Sequence, residues 1–406
     1  MTGESLIPAV SVIVPVYSGR EHFAELLSLL RRQTLRNIEL ILIDDCGNDG
    51  AYELAVAAAD SDERIVLLRN EKNMGPGVSR NRGIAAAHGE YLGFVDADDI
   101  VPLDYYERLY TKATETGALV VKCGRANRYV DGRVEISSHN EGIKEKLKKG
   151  EHLVNAFGWE HTTAIYQREH VLRNGARNSD AMQDEDTTFI LGVTHNMEST
   201  QFAMVEDLFY YYRFTPSSVT RGLDASYFTE SQKSLDDKLA YIMSQEQSVA
   251  LERYVAVLID ARLRWRYMNA LHAPEITRKH RRQYLEQVLA SARAYQQQHG
   301  ASRFYGVARE LLEGKMEIDE YMVAAASPPK PHVVPEKSVQ ERDYLRCMAL
   351  LQYAAVLNCR FWRYKLMTAI TFGKTRSKYR VKRNHLKALM RECRSLSREL
   401  CRCLQV

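Results

Sequence analysis

The sequence predicts an α/β protein, with a mostly parallel sheet flanked by helices and an α-helical C-terminal region. Three observations point there. Continuous apolar, β-branched runs alternate with amphipathic stretches over the first hundred residues, as strands covered on both faces do. Acidic clusters follow two of those runs directly. From Tyr227 to Tyr321 the pattern turns helical.

In chain order, Val10–Val16 (VSVIVPV) is the first expected strand. Phe23, Leu26, Leu27 and Leu30 then repeat at i, i+3, i+4 and i+7, the spacing of a helix with one buried face. Ile38–Ile43 (IELILI) and Ile65–Leu68 are the second and third strands, with an Ala-rich helical stretch between them. The Gly75-Pro76-Gly77 turn opens a helix over Val78–His88, and Tyr91–Val95 is a fourth strand ending at Asp96. Such alternation implies parallel pairing through right-handed crossovers. A helix near Leu103–Thr116 leads into short strands and loops as far as Thr220, and Tyr254–Met268 is periodic in the helical sense. Four of the ten prolines fall within Pro328–Pro335, the expected linker, and Leu345–Leu357 and Leu386–Cys403 read as helices. The expected division is therefore an α/β domain over 1–225, a helical region over 226–327, a Pro-rich linker over 328–335 and a basic helical region over 336–406.

Composition excludes several classes. Of the 406 residues, 45% are apolar and 27% charged, which is globular and neither fibrous nor disordered. No apolar run reaches the 18 or so residues of a membrane-spanning helix. The stretch Leu6–Tyr17 lacks preceding basic residues and contains Pro8 and Pro15, so it is not expected to be a secretory signal. Seven cysteines without a C-x-x-C pair support neither a disulfide framework nor a zinc site, and suggest a reducing cytoplasm. The net charge of +4 hides an asymmetry: from Arg360 onward fourteen Lys or Arg face two Glu, so the rest of the chain is net acidic.

Asp44-Asp45 follows the second strand, and Asp96-Ala97-Asp98-Asp99 follows the fourth. In a parallel sheet both clusters reach the carboxyl edge, where ligands bind. Three carboxylates in four residues repel one another unless a cation neutralises them, and Mg²⁺ or Mn²⁺ prefers such oxygens and bridges to phosphates. Capping of the following helices is the simpler reading; for Asp44-Asp45 capping and ligand binding stand level, but a cap needs only one Asp of the second cluster. Asp184-Glu185-Asp186 is, by composition alone, an ordinary acidic loop.

Taken in order, SVIVPVY, IELILIDDCGNDG, RIVLLRNEKNMGPGVSRNRGI and GEYLGFVDADD resemble the family 2 glycosyltransferases with the GT-A nucleotide-diphospho-sugar transferase fold. The likeness covers roughly residues 10 to 100, then extends more weakly through QDEDTTF (Gln183–Phe189) and YYYRFTPSSVT (Tyr210–Thr220). ITFGKTRSKYRVK (Ile370–Lys382) is similar to tails of some bacterial capsule- and lipopolysaccharide-building members. The resemblance implies a metal-dependent, inverting transfer of sugar from a nucleotide donor to a glycan or lipid-linked acceptor. It implies that Pro15, Tyr17 and Asp45 hold the base, Asp45 accepting from a uracil N3–H, with Arg80 facing the nucleotide. Of the D-x-D element, Asp96 holds the loop, Asp98 lies near ribose and metal, and Asp99 is a direct ligand of Mn²⁺ or Mg²⁺. Asp186 is the general base, with Glu185 second, and Arg213 or Arg221 clamps the diphosphate. Cys46 and Asn48 depart from the family pattern, as does Arg173–Met182, which puts acceptor binding in doubt more than donor binding.

Two further expectations concern the C-terminal region. Leu386, Leu389, Cys393, Leu396, Leu400 and Cys403 form a stripe suited to packing on the protein or on a second copy. Phe361, Trp362, Tyr364, Ile370 and Phe372 among cations suit an anionic membrane surface, which would make the enzyme peripheral on the inner face of the plasma membrane. Rival functions fit less well. The first strand–helix turn, VYSGREHF, lacks the G-x-G-x-x-G of a dinucleotide oxidoreductase, and the chain has no P-loop. No recognised module argues for nucleic acid. The remaining alternative is a catalytically silent scaffold that binds nucleotide sugar or a partner protein.

Overall fold

The computed structural model describes residues 7–157, 160–214, 226–269, 271, 273, 275–299, 304 and 306–326. Arg221, the Pro-rich linker, the basic helices and Ile370–Lys382 lie outside the described residues.

The first four strands are β1 (Val10–Val16), β2 (Ile38–Asp44), β3 (Ile65–Arg69) and β4 (Tyr91–Phe94). Helices α1 (Arg20–Arg31), α2 (Ala51–Ala59) and α3 (Pro76–Ala86) connect them. β2 is buried throughout, as its unbroken apolar run requires. The stripe Phe23, Leu26, Leu27 and Leu30 is the buried face of α1. α3 begins at Pro76 rather than Val78, because proline at the first helical position loses no hydrogen bond.

Beyond α4 (Tyr105–Thr116) come β5 (Val120–Tyr129), β6 (Val134–Ile136), α5 (His139–Lys148), α6 (Leu153–Ala156), β7 (Ala164–Gln167), α7 (Arg168–Arg173), α8 (Asp186–Thr194), β8 (Phe202–Phe214) and α9 (Tyr227–Met243). The sheet order is β3-β2-β1-β4-β7-β5-β6, with β8 beside β5. β1, β2, β3 and β4 pair in parallel, as expected. β7 runs antiparallel to both β4 and β5, and β5–β6 is a hairpin turned at Asp131-Gly132. The sheet is therefore mixed beyond β4. Because β7 inverts direction twice over, β5 and its parallel neighbour β8 point the same way as β1–β4.

Alternate residues of the central strands feed two cores. Val12, Val14, Leu40 and Leu42 pack with α1, α2 and α4, whereas Ile13, Ile41, Ile43, Leu92 and Phe94 pack with Ile84, Phe189 and Val193 of α3 and α8. The winding runs from β1 outward through β2 to β3 and then returns to place β4 on the other side of β1. That reversal opens a crevice at the carboxyl ends of β1 and β4.

One compact unit comprises the described residues of 1–260 and 287–308, and thus holds the sheet and α9. A second comprises those of 261–286 and 309–326, where the Tyr321 hydroxyl donates to the Leu263 carbonyl and Arg278 pairs with Asp319. Among the described residues no helix is long and apolar enough to cross a membrane.

Candidate active site

Parallel pairing places Val16 beside Asp44 and Asp44 beside Arg69, so the loops after β1, β2 and β3 meet at one edge. Asp45 is 3% exposed. Its Oδ1 accepts from Asn70 Nδ2 at 2.6 Å and from the Met74 N–H at 2.7 Å, and its Oδ2 accepts from the Gly75 N–H at 2.8 Å. One carboxylate thus fixes the entry to α3. Burial raises the Asp44 pKa, opposed by Arg69, whose Nε lies 3.1 Å from Oδ2. Burial also raises that of Asp49, but the backbone N–H groups of Arg20, Ala51 and Gly19 outweigh it and hold this carboxyl below its usual range. Asp49 ties the starts of α1 and α2 together. Tyr17 projects from the end of β1, half-exposed.

Gly47 lies where the β1 and β2 loops cross. A Cβ added there would sit 1.6 Å from the Tyr17 carbonyl oxygen, so a side chain requires backbone to move. Gly47→Ala is expected to cost about 1–3 kcal/mol and to weaken nucleotide binding. Urea unfolding and UDP titration check both.

At the end of β4 the three aspartates separate. Asp98 is exposed, and the Asp96 side chain is 34% exposed. Asp99, expected as a direct metal ligand, is 1% exposed, and both its oxygens are engaged: Oδ2 accepts the Tyr210 hydroxyl at 2.6 Å and Oδ1 the Arg213 N–H at 2.7 Å. Burial, then the Asp96 and Asp98 charges, push its pKa well up. Although the Asp98 residue is exposed, the surrounding loop strips water from its carboxyl, which together with the Asp96 charge raises its pKa. The Arg213 guanidinium does not reach into the crevice unpaired, since Nε donates to the Asp98 carbonyl and Nη2 to Glu25.

Arg80 joins this element to the third acidic group. Its side chain is 5% exposed; Nη2 donates to Asp96 Oδ1 and Nη1 to Glu185 Oε1, each at 2.6 Å. Burial disfavours its charge, but the two carboxylates more than compensate and the guanidinium stays protonated. Arg80 is therefore not a solvated helix residue: both Nη atoms are engaged, while its buried Nε has no hydrogen-bond partner. Residues 96 and 185, far apart in sequence, are held by the two terminal nitrogens of one guanidinium.

Asp186 opens α8, where the helix N-terminus favours a carboxylate. Its pKa is nonetheless pushed well up, first by burial and then by Glu185 and Asp184, with Arg80 and Lys238 opposing. Facing it is His161, 3% exposed, whose Nδ1 lies 3.6 Å from Asp186 Oδ2. That imidazole stacks on Phe94 at 4.9 Å and meets Phe189 edge-on. Burial, with Arg80 and Lys122, lowers its pKa well below the usual value, so it is neutral.

The structure thus brings Asp96, Arg80, Glu185 and Asp186 together, sets Asp45 and Tyr17 at the same sheet edge, and seats Asp99 beneath the surface. Sequence reading missed His161, Tyr210, Asn70, Asp49 and Lys238. Asn70 directly follows the third strand, so position at the carboxyl edge was an available signal for it; Tyr210 lay inside the aromatic run, and nothing marked His161.

Two carboxylates, Asp96 and Asp98, close enough that the Asp96 charge raises the proton affinity of Asp98, suit a hard divalent cation whose remaining ligands are diphosphate oxygens and water. No cluster of three metal-binding side chains occurs among the described residues, so the donor would have to complete the shell.

Comparison with known proteins agrees with this architecture. The family described as Glycosyl transferase family 2 matches residues 11–173. "Uncharacterized glycosyltransferase EpsJ" of Bacillus subtilis is 34% identical over 222 residues, 53% of this chain and 64% of that protein, so the match spans just under two thirds of EpsJ. "Putative teichuronic acid biosynthesis glycosyltransferase TuaG" of the same organism is 35% identical over 101 residues, 25% of this chain and 40% of that one. The S. aureus TarS 1-349 crystal structure in complex with UDP aligns with a TM-score of 0.57 at 17% identity, covering 78% of this chain and 88% of that one. At that identity the likeness concerns the fold.

Proposed function

From the match of residues 11–173 to glycosyl transferase family 2, we propose that the protein transfers a sugar from a nucleoside diphosphate, UDP, to a hydroxyl of a glycan or lipid-linked acceptor during cell-surface polysaccharide synthesis. The convergence of Asp96, Arg80 and Glu185 in one buried bridge beside Asp186 carries this reading. It supplies a donor-facing carboxylate and a basic carboxylate at one crevice. TarS, whose structure holds UDP, and TuaG, named for teichuronic acid, support the donor class and the pathway class.

Tyr17 and Pro15 would flank the base, and Asp45 Oδ2 keeps acceptor capacity for a uracil N3–H. Asp98 with Asp96 would hold Mn²⁺ or Mg²⁺, which supplies Lewis-acid stabilisation of the departing diphosphate. Asp99 positions that loop through Tyr210 and Arg213. Asp186 takes the acceptor proton as its oxygen attacks the anomeric carbon opposite the diphosphate, so one displacement inverts that centre. The raised proton affinity of Asp186 strengthens it as a base, and neutral His161 leaves it unpaired by any cation on that side.

Thermal unfolding with a panel of nucleotide sugars, with and without Mn²⁺, tests the reading. UDP or a UDP-sugar at 100 times its Kd stabilises the native state by about 2.7 kcal/mol, and Asp98→Ala is expected to abolish the Mn²⁺-dependent part of that shift. A chain that no nucleotide sugar stabilises or reacts with would be the silent scaffold instead.

A further inference from the structure

The loop 179–184, immediately before the Glu185-Asp186 pair, has no regular secondary structure, yet it is gripped from α9. The Met182 N–H donates to Glu230 Oε2 at 2.6 Å, and Lys233 Nζ donates to the Asp180 carbonyl at 2.7 Å. The Ser179 hydroxyl donates to Asp237 Oδ2, and the Ser234 hydroxyl to the Asp184 carbonyl at 3.0 Å. Lys238 Nζ donates to Asp184 Oδ2 at 3.1 Å. Positions 230, 233, 234, 237 and 238 share one face of a helix. On the loop's other side, Gly77 lets α3 approach: an added Cβ there would lie 2.1 Å from the Ser179 carbonyl oxygen.

Two features exceed what simple packing needs. Lys238 is 1% exposed, and a buried ammonium is costly unless its pairing serves a purpose. Asp184, its partner, adopts φ +62°, a left-handed conformation that non-glycine residues seldom take. The strained residue lies two positions before Asp186.

We propose that α9 is a latch on the loop that carries the general base, with Lys238 a positioning residue for Asp186. The proposal rests on the reading of Asp186 as that base. The charged and titratable groups facing Asp186 are Glu185 and Asp184 on its own segment, Arg80 from α3, His161 just before β7, Tyr166 within β7, and Lys238 from α9. Lys238 does two things there. It fixes the backbone at Asp184, and it offsets the two neighbouring carboxylates so that Asp186 is deprotonated over a wider pH range.

Amide hydrogen exchange on the full chain, combined with the pH profile of nucleotide-sugar turnover, tests this. Lys238→Met is expected to speed exchange at the Ser179, Ala181 and Met182 amides by about tenfold or more. It should lower kcat by about 10- to 100-fold, leave the donor KM unchanged and move the acid limb of kcat to higher pH. Lys238→Arg, which keeps the charge, should restore the pH profile. Asp237→Ala, which removes the acceptor of the Ser179 hydroxyl at a half-buried position, should speed exchange in the same loop. Unchanged exchange and an unchanged pH profile in Lys238→Met would overturn the latch. So would unchanged exchange in Asp237→Ala, should Lys238→Met not fold. A native chain that turns over no nucleotide sugar would defeat the reading of Asp186, while the exchange rates would still decide the latch.

Discussion

Asp186→Asn is expected to lower sugar transfer by about 10²- to 10⁴-fold, the usual worth of a positioned general base, while UDP binding stays unchanged. The substitution keeps the shape of the side chain and removes only its capacity to take a proton. Steady-state transfer and UDP titration separate the two effects, and a variant that transfers at the native rate would refute the assignment. The sign of the stability change adds a second check. In the folded chain the proton affinity of Asp186 is raised above the ordinary carboxylate, mainly by burial and then by Glu185 and Asp184. Stability from a raised group is fully present below its unfolded value and lost as pH rises through the folded one. Above that raised value the ionised Asp186 burdens the native state, so Asp186→Asn should melt higher than the native chain there even as it loses activity. In the native enzyme kcat should fall as pH drops through the raised value, leaving an acid limb above the 3.8 of an ordinary Asp.

Arg80→Met should be the most destabilising of these substitutions, by about 3–5 kcal/mol, because removing one partner strands buried charge. Glu185 is 13% exposed and loses its only described cation; Asp96, at 34%, is better hydrated and contributes less. Lysine is a poor substitute, since the bridge uses two separate nitrogens in a fixed plane. Urea unfolding reads the loss, and the double variant Arg80→Met with Glu185→Gln should recover part of it. If Arg80→Met unfolds at the native urea concentration, the bridge is not a structural element of the site. Both substitutions bear on one physical fact: the acidic groups of this crevice repel one another and are held in place by buried cations from α3 and α9.

Much of this was legible in the chain itself. The runs VSVIVPV and IELILI could only be strands buried on both faces, and the spacing of Phe23, Leu26, Leu27 and Leu30 could only be one helix face. Local periodicity alone therefore set the first half of the sheet. It also put Asp45, Asp96, Asp98 and Asp99 at the carboxyl edge, because parallel strands end on the same side. The antiparallel insertion of β7 was not visible, since a four-residue strand carries too little periodicity to reveal its direction.

What the sequence alone determined was thus which residues have the right chemistry and which edge of the sheet they reach. Only the tertiary structure decided how they are partnered. It made Arg80 the bridge between Asp96 and Glu185, sank Asp99 beneath Tyr210, set His161 against Asp186, and brought Lys238 to the loop before it. Each of these depends on contacts between residues tens to more than a hundred positions apart. Whether a charge is solvated, paired or buried is a property of that packing and leaves no trace in local pattern.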